Sequence, residues 1–82
     1  MTTRLTLIGK PGCHLCDDAR SVVEAAMAEF PEAALEELSI LDDDVLRVRY
    51  AEEIPVLLID GRMHAYWRID PERLRAALTE RG

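Results

Sequence analysis

Two cysteines, Cys13 and Cys16, stand in the stretch GKPGCHLCDDAR, residues 9–20, and the chain of 82 residues contains no others. Two thiols at this spacing can share a metal ion, close a small disulfide, or exchange electrons by making and breaking that disulfide. A zinc site ordinarily takes four ligands, and only His14 and His64 add imidazole nitrogen to the two sulfurs. His14 lies between the thiols, poorly placed to join both on one ion. A bridge over two intervening residues closes so short a loop that it stabilises little. Two unrelated cysteines, one of them a core residue, form the plainest alternative. A Cys-x-x-Cys pair beside a β-α-β pattern favours thiol exchange.

The two thiols are not equivalent. Cys13 falls where a Pro-Gly loop meets a predicted helix, next to unpaired N–H groups and the positive end of the dipole. A thiol so placed can have its pKa lowered from about 8.5 into a range of roughly 3.5–7.5, and a shift short of the extreme is expected here. Cys13 is therefore the expected nucleophile. Lys10 works with the dipole, whereas Asp17 and Asp18 oppose it. Cys16 shares a helix face with Cys13 and falls on the apolar stripe, so it is expected to be more buried and less ionised. Exchange needs such a pair: one thiol attacks, and the other resolves the mixed disulfide.

These residues need elements to position them. Arg4 to Gly9 is a short apolar run ending in Gly and predicts a strand. Leu15, Ala19, Val22, Val23, Ala26, Met27 and Phe30 recur at steps of three and four, predicting a helix that ends at Pro31. Leu35 to Ile40 reads as a second strand, and Asp42, Asp43 and Asp44 offer an N-cap to a short helix reaching Tyr50. Val56 to Ile59 is an unbroken apolar run, as in a strand buried on both faces. Asp60-Gly61 signals a hairpin turn, with Arg62 to Trp67 returning as the partner strand. Asp70 and Pro71 suit the N-cap and first position of a last helix, whose buried stripe is Leu74, Ala77 and Leu78.

The order is βαβαββα. Two strands joined through a helix should be parallel with a right-handed crossover, and the last two should be an antiparallel hairpin. The fold class expected is α/β, a four-stranded mixed sheet flanked by helices on both faces. The length suits one domain, residues 1–82.

Composition narrows the partners. Sixteen acidic residues against ten Lys and Arg give a net charge of −6, which argues against nucleic acid, since phosphate binding leans on clustered cations. No apolar run approaches the ~20 residues of a membrane span, and the first ten residues lack the pattern of a signal peptide. A cytoplasmic location is expected, where structural disulfides are rare.

The strand ending in Gly9-Lys10-Pro11-Gly12, the motif Cys13-His14-Leu15-Cys16, Ile54-Pro55 before a buried strand, the Asp60-Gly61 hairpin and the C-terminal helix together resemble the glutaredoxin branch of the thioredoxin-fold superfamily. The resemblance spans roughly Leu5 to Leu78. It is nearest to small bacterial glutaredoxin-like proteins with a Cys-His-Leu-Cys type motif. It implies a thioredoxin/glutaredoxin-like fold and a small thiol–disulfide oxidoreductase acting on protein or glutathione mixed disulfides. Cys13 would be the nucleophile and Cys16 the resolving thiol. Pro55 would be a cis-proline facing them, with the Ile54 backbone pairing with a bound peptide or glutathione. Lys10 occupies the place of a lysine that helps bind the glutathione carboxylate, and Asp70 matches an acidic position that contacts the glutathione amine, although an N-cap explains Asp70 equally well.

The chain departs from that pattern at two places. His14-Leu15 replaces the Pro-Tyr common between the cysteines; a charged His14 beside the thiols would favour the thiolate. Tyr66-Trp67-Arg68 stands where a Gly-Gly pair lets glutathione approach the backbone. Such bulk either closes the glutathione groove or forms a different, aromatic surface, and at least one of Tyr66 and Trp67 is expected to be core or half-buried sheet. No cofactor is required by this reading. The reductant would be glutathione, another low-molecular-weight thiol or a reductase, and the chain is expected to act as a monomer. Two alternatives stay open: an iron–sulfur cluster bridged between two chains, and a non-enzymatic interaction domain.

Overall fold

Alternation along the strands sets the architecture. In β1 (Arg4–Gly9), Leu5 and Leu7 point to one face of the sheet and Ile8 to the other. In β3 (Val56–Ile59), Leu57 and Ile59 join the first set while Val56 and Leu58 join the second. A strand with apolar residues on both faces must be covered on both, so each of these central strands carries two cores. The computed structural model describes residues 3–81.

The first core is closed by α1 (His14–Met27) through Ala19, Val23 and Ala26, and by α3 (Pro71–Arg81) through Leu74 and Leu78. The second, smaller core gathers Ile8, Ile40, Val56 and Tyr50, the last residue of α2 (Asp44–Tyr50). The helices thus lie on opposite faces, two against one.

The four-stranded sheet has the order β2-β1-β3-β4, with β2 (Ala34–Ser39) parallel to β1 and β3 antiparallel to it. β4 (Arg62–Tyr66) returns from β3 through Asp60 and Gly61, whose φ values of 50° and 83° suit the two-residue turn of a type I′ hairpin. Asp60 also ties the turn to β1, accepting from the Arg4 N–H through Oδ1 at 2.9 Å. Met63 pairs with Leu58 and Ala65 with Leu57, so His64 is the extra residue of a β-bulge. A bulge re-aims the strand that carries it, and here that strand delivers Tyr66 to the site.

Three boundaries differ from the sequence expectation. α1 ends at Met27 rather than at Pro31; the chain then tightens through bonds from Glu29 N–H to the Ala26 carbonyl and from Phe30 N–H to the Met27 carbonyl. β2 starts and stops one residue early, because its register follows β1 from Arg4 opposite Ala34 to Gly9 opposite Ser39. β4 stops at Tyr66, because Trp67 leaves the extended region.

Candidate active site

Cys13 is the N-cap of α1, with extended backbone at φ −97° and ψ 115°. A cap residue commonly uses a side-chain oxygen to satisfy the free N–H groups of the first turn. Here a sulfur does so: Sγ of Cys13 accepts from the Cys16 N–H at 3.2 Å. The sulfur therefore sits at the N-terminal end of α1, facing a backbone N–H of its first turn. Asp17, the acidic residue of the first turn, is paired with Arg20 at 3.0 Å, and Arg20 reaches across to Glu37 of β2 at 2.6 Å.

Cys16 is 3% exposed, and Cys13 is half-buried; both are free thiols. Burial pushes the Cys16 thiol up to about 11, reinforced by its hydrogen bond to Cys13 and by the charges of Cys13 and Asp17, against a lowering contribution from the Lys10 backbone N–H. Cys16 thus holds its proton at neutral pH. The inequality expected of the pair is present as one sheltered, protonated thiol and one more accessible thiol at a helix N-terminus.

Gly9 belongs to this arrangement, and sequence reasoning did not single it out as a site residue. A β-carbon built there would lie 2.7 Å from the Cys16 Sγ. The absent side chain is what lets the sulfur pack against β1. The available signal was a Gly closing an apolar strand just before the motif. Lys10 and Cys16 line a cavity of about 340 Å³ with Gly9 and the Asp17, Arg20 and Glu37 side chains. His14 is exposed at the first position of α1.

The Ile54–Pro55 peptide bond is cis, and Pro55 is buried. Ile54 lines an apolar groove of about 470 Å³ with Leu15, Tyr66, Trp67 and Arg68. Leu15 lies between the two cysteines, so the groove begins at the motif itself. The sequence reading put Leu15 on the apolar helix stripe and Arg68 beside the aromatic pair without counting either as a site residue; the fold leaves Leu15 exposed and brings both to the same wall.

Trp67 is the most constrained residue of the groove. Its φ is 63°, in the left-handed region, which costs an L-residue about 1–2 kcal/mol relative to the right-handed one. Several contacts hold it there. The backbone N–H donates to the Pro55 carbonyl at 2.8 Å and more weakly to that of Glu53 at 3.3 Å. The indole Nε1–H donates to the Glu52 carbonyl at 2.9 Å. The ring meets Tyr66 edge to face at 5.0 Å. Neither aromatic is core: Tyr66 is 46% and Trp67 53% exposed. The expectation that at least one of them would be core or half-buried sheet does not hold: Tyr66 is exposed at the end of edge strand β4, and Trp67 stands beyond the strand.

Asp70 works as the N-cap of α3. Its Oδ1 accepts from the Glu72 N–H at 2.9 Å and the Arg73 N–H at 3.4 Å. Among the described residues, no group of three or more His, Cys, Asp or Glu side chains gathers closely enough to hold a metal ion. An iron–sulfur cluster held by four thiolates would need at least two of them from outside the chain. Among the described residues, no helix is long and apolar enough to cross a membrane.

Comparison with known proteins agrees with this geometry. The family model of the glutaredoxin-like domain (DUF836) matches residues 4–79. The uncharacterized protein Rv0508 of Mycobacterium tuberculosis is 32% identical over 84 residues, covering 93% of this chain and 82% of its own. The X-ray structure of protein XcR50 from X. campestris superposes with a TM-score of 0.77 at 38% identity, covering 93% of this chain and 96% of that one. Mitochondrial thioredoxin 3 from Saccharomyces cerevisiae, in its oxidized form, matches with a TM-score of 0.69 over 95% of this chain and 77% of its own. At 12% identity that likeness shows the fold alone. A family match across nearly the whole chain, on a thioredoxin-type sheet with the cysteine pair at its strand-to-helix corner, places this chain in the glutaredoxin-like (DUF836) family of the thioredoxin superfamily.

Proposed function

We propose that the protein is a small thiol–disulfide oxidoreductase in which Cys13 attacks and Cys16 resolves. The observation that carries this reading is the asymmetry of the pair: Cys13 Sγ is capped by the Cys16 N–H at 3.2 Å, and the Cys16 thiol is buried and protonated.

The Cys13 thiolate displaces one sulfur of a substrate disulfide. A new S–S bond joins Cys13 to the substrate, and the other half leaves as a thiolate that takes up a proton. Two of the causes that held the Cys16 proton, the hydrogen bond and the charge of Cys13, then vanish because that sulfur is now in a disulfide. Burial remains, but the Cys16 pKa falls. Once deprotonated, Cys16 attacks the Cys13 sulfur, forms the Cys13–Cys16 disulfide and releases the substrate as a thiol. The substrate gains two electrons and the dithiol loses two. An external thiol reductant, either glutathione, another low-molecular-weight thiol or a reductase, restores the dithiol by the reverse exchange. In this reading Ile54, next to the cis-proline, pairs its backbone with the incoming chain, while Lys10, beside Cys16, and the exposed His14 contribute to substrate binding. No resident cofactor enters these steps.

The reading is tested by incubating Cys16→Ser protein with a disulfide substrate and locating the adduct by mass spectrometry. A stable mixed disulfide on Cys13 is expected, with disulfide reduction abolished in Cys13→Ser. Full reducing activity in Cys13→Ser would overturn the assignment.

A further inference from the structure

The groove beside the thiols bears on the choice of substrate. Leu15, Tyr66 and Trp67 all present apolar surface to solvent along it, and a contiguous exposed patch of this kind marks a surface that something covers. The aromatic pair is already held in place by the Glu52 and Pro55 carbonyls and by its edge-to-face contact. A preformed platform loses little ordering entropy when a partner seats on it. One formal charge lies on the groove walls, Arg68, whose guanidinium has no ion pair among the described residues, in a chain of net charge −6. An apolar floor with one unpaired cation is complementary to a chain segment bearing a large apolar side chain and a carboxylate. Glutathione offers Arg68 a carboxylate but has no apolar side chain for the Tyr66–Trp67 face.

Resting on the thiol-exchange reading above, we propose that this groove selects polypeptide disulfides whose cysteine is flanked by a large apolar residue and an acidic one, and that Trp67 sets this preference over glutathione. The reaction itself is unchanged. The Cys13 thiolate displaces a thiolate from the polypeptide's disulfide, one S–S bond breaks as another forms, and no outside oxidant is needed. Selection lies in how long and how well the segment sits beside Cys13.

The test uses the full chain in its reduced form and measures the rate of thiol release from symmetric disulfides. These are the peptides Phe-Cys-Glu, Ser-Cys-Glu and Phe-Cys-Gln with blocked ends, oxidised glutathione, and hydroxyethyl disulfide as a reference that fills no groove. The expected result is reaction with the Phe-Cys-Glu disulfide at least about tenfold faster than with the Ser-Cys-Glu disulfide or oxidised glutathione, the scale on which an apolar pocket discriminates. Trp67→Gly keeps a residue at ease with φ 63° while removing the indole. It should collapse the ratio of peptide to glutathione rates, and Arg68→Gln should remove the advantage of Glu over Gln. Equal wild-type rates for the peptide disulfides and oxidised glutathione would overturn the proposal without recourse to any variant. So would an unchanged ratio in folded Trp67→Gly. Failure to reduce even hydroxyethyl disulfide would instead sink the exchange reading on which it rests.

Discussion

Gly9 and Cys16 approach so closely that a β-carbon on Gly9 would lie 2.7 Å from the Cys16 sulfur. The contact joins the end of the central strand to the second residue of the thiol pair. It fixes how deep Cys16 sits, and with that depth the burial that keeps its proton on.

Gly9→Ala should therefore destabilise the reduced protein by about 1–3 kcal/mol, the usual range for overpacking a tight interior. The neighbouring atom is a sulfur on a packed helix rather than the tip of a long side chain, so little relaxation is available. Urea denaturation should show a lower midpoint with an unchanged slope. Disulfide closure between Cys13 and Cys16 should slow in the same variant. A midpoint equal to wild type would show that the contact relaxes freely.

Cys16 makes a pH prediction whose sign follows from its raised pKa. Its ordinary value of 9.0 is pushed up to about 11 in the fold by burial first and by its bond to Cys13 second. The folded state then holds the proton more tightly than the unfolded chain. The stabilisation is fully present below about pH 9 and is lost as pH climbs through 11. The urea midpoint of reduced protein should fall further between pH 8 and pH 10.5 in wild type than in Cys16→Ala, which lacks this group. In Cys13→Ala the Cys16 thiolate, followed by its ultraviolet absorbance, should appear at lower pH than in wild type. An unchanged titration there would remove Cys13 from the causes.

Asp70→Ala should cost about 1 kcal/mol of stability, the typical loss of a helix N-cap. Its Oδ1 serves two N–H groups of the first turn, those of Glu72 and Arg73, so both lose their partner. Asp70→Asn should recover most of the loss. Thermal unfolding of the three proteins decides the matter, and a wild-type midpoint for the alanine variant would mean that the cap contributes nothing.

Much of this was legible in the chain itself, because local rules and the fold agree here. The Cys13–Cys16 spacing and the apolar stripe through Ala19, Val23 and Ala26 place one thiol at a helix start and the other on its buried face. Four apolar residues in a row over Val56–Ile59 predict a doubly covered strand, and Asp-Gly at 60–61 predicts the tight hairpin. Asp70 followed by Pro71 announces a helix. Each signal is carried by side chains a few residues apart, so sequence order alone conveys it.

Tertiary structure decided whatever depends on distant backbone. Gly9 reads as a strand terminus until the Cys16 sulfur is brought against it, and a cis Ile54–Pro55 bond was implied by the family resemblance and not by the residues themselves. Trp67 is the clearest case. By type it belongs in a strand, and at the end of β4 extension would continue. It adopts φ 63° instead, and there its two N–H groups donate to the carbonyls of Glu52 and Pro55, a dozen or more residues earlier. Hydrogen bonds to backbone carbonyls leave no mark on residue identity, so no pattern in the chain foretells them. The sequence alone determined that two unequal thiols would meet at a strand-to-helix corner; the folded chain decided that an aromatic wall, held by those bonds, would stand beside them.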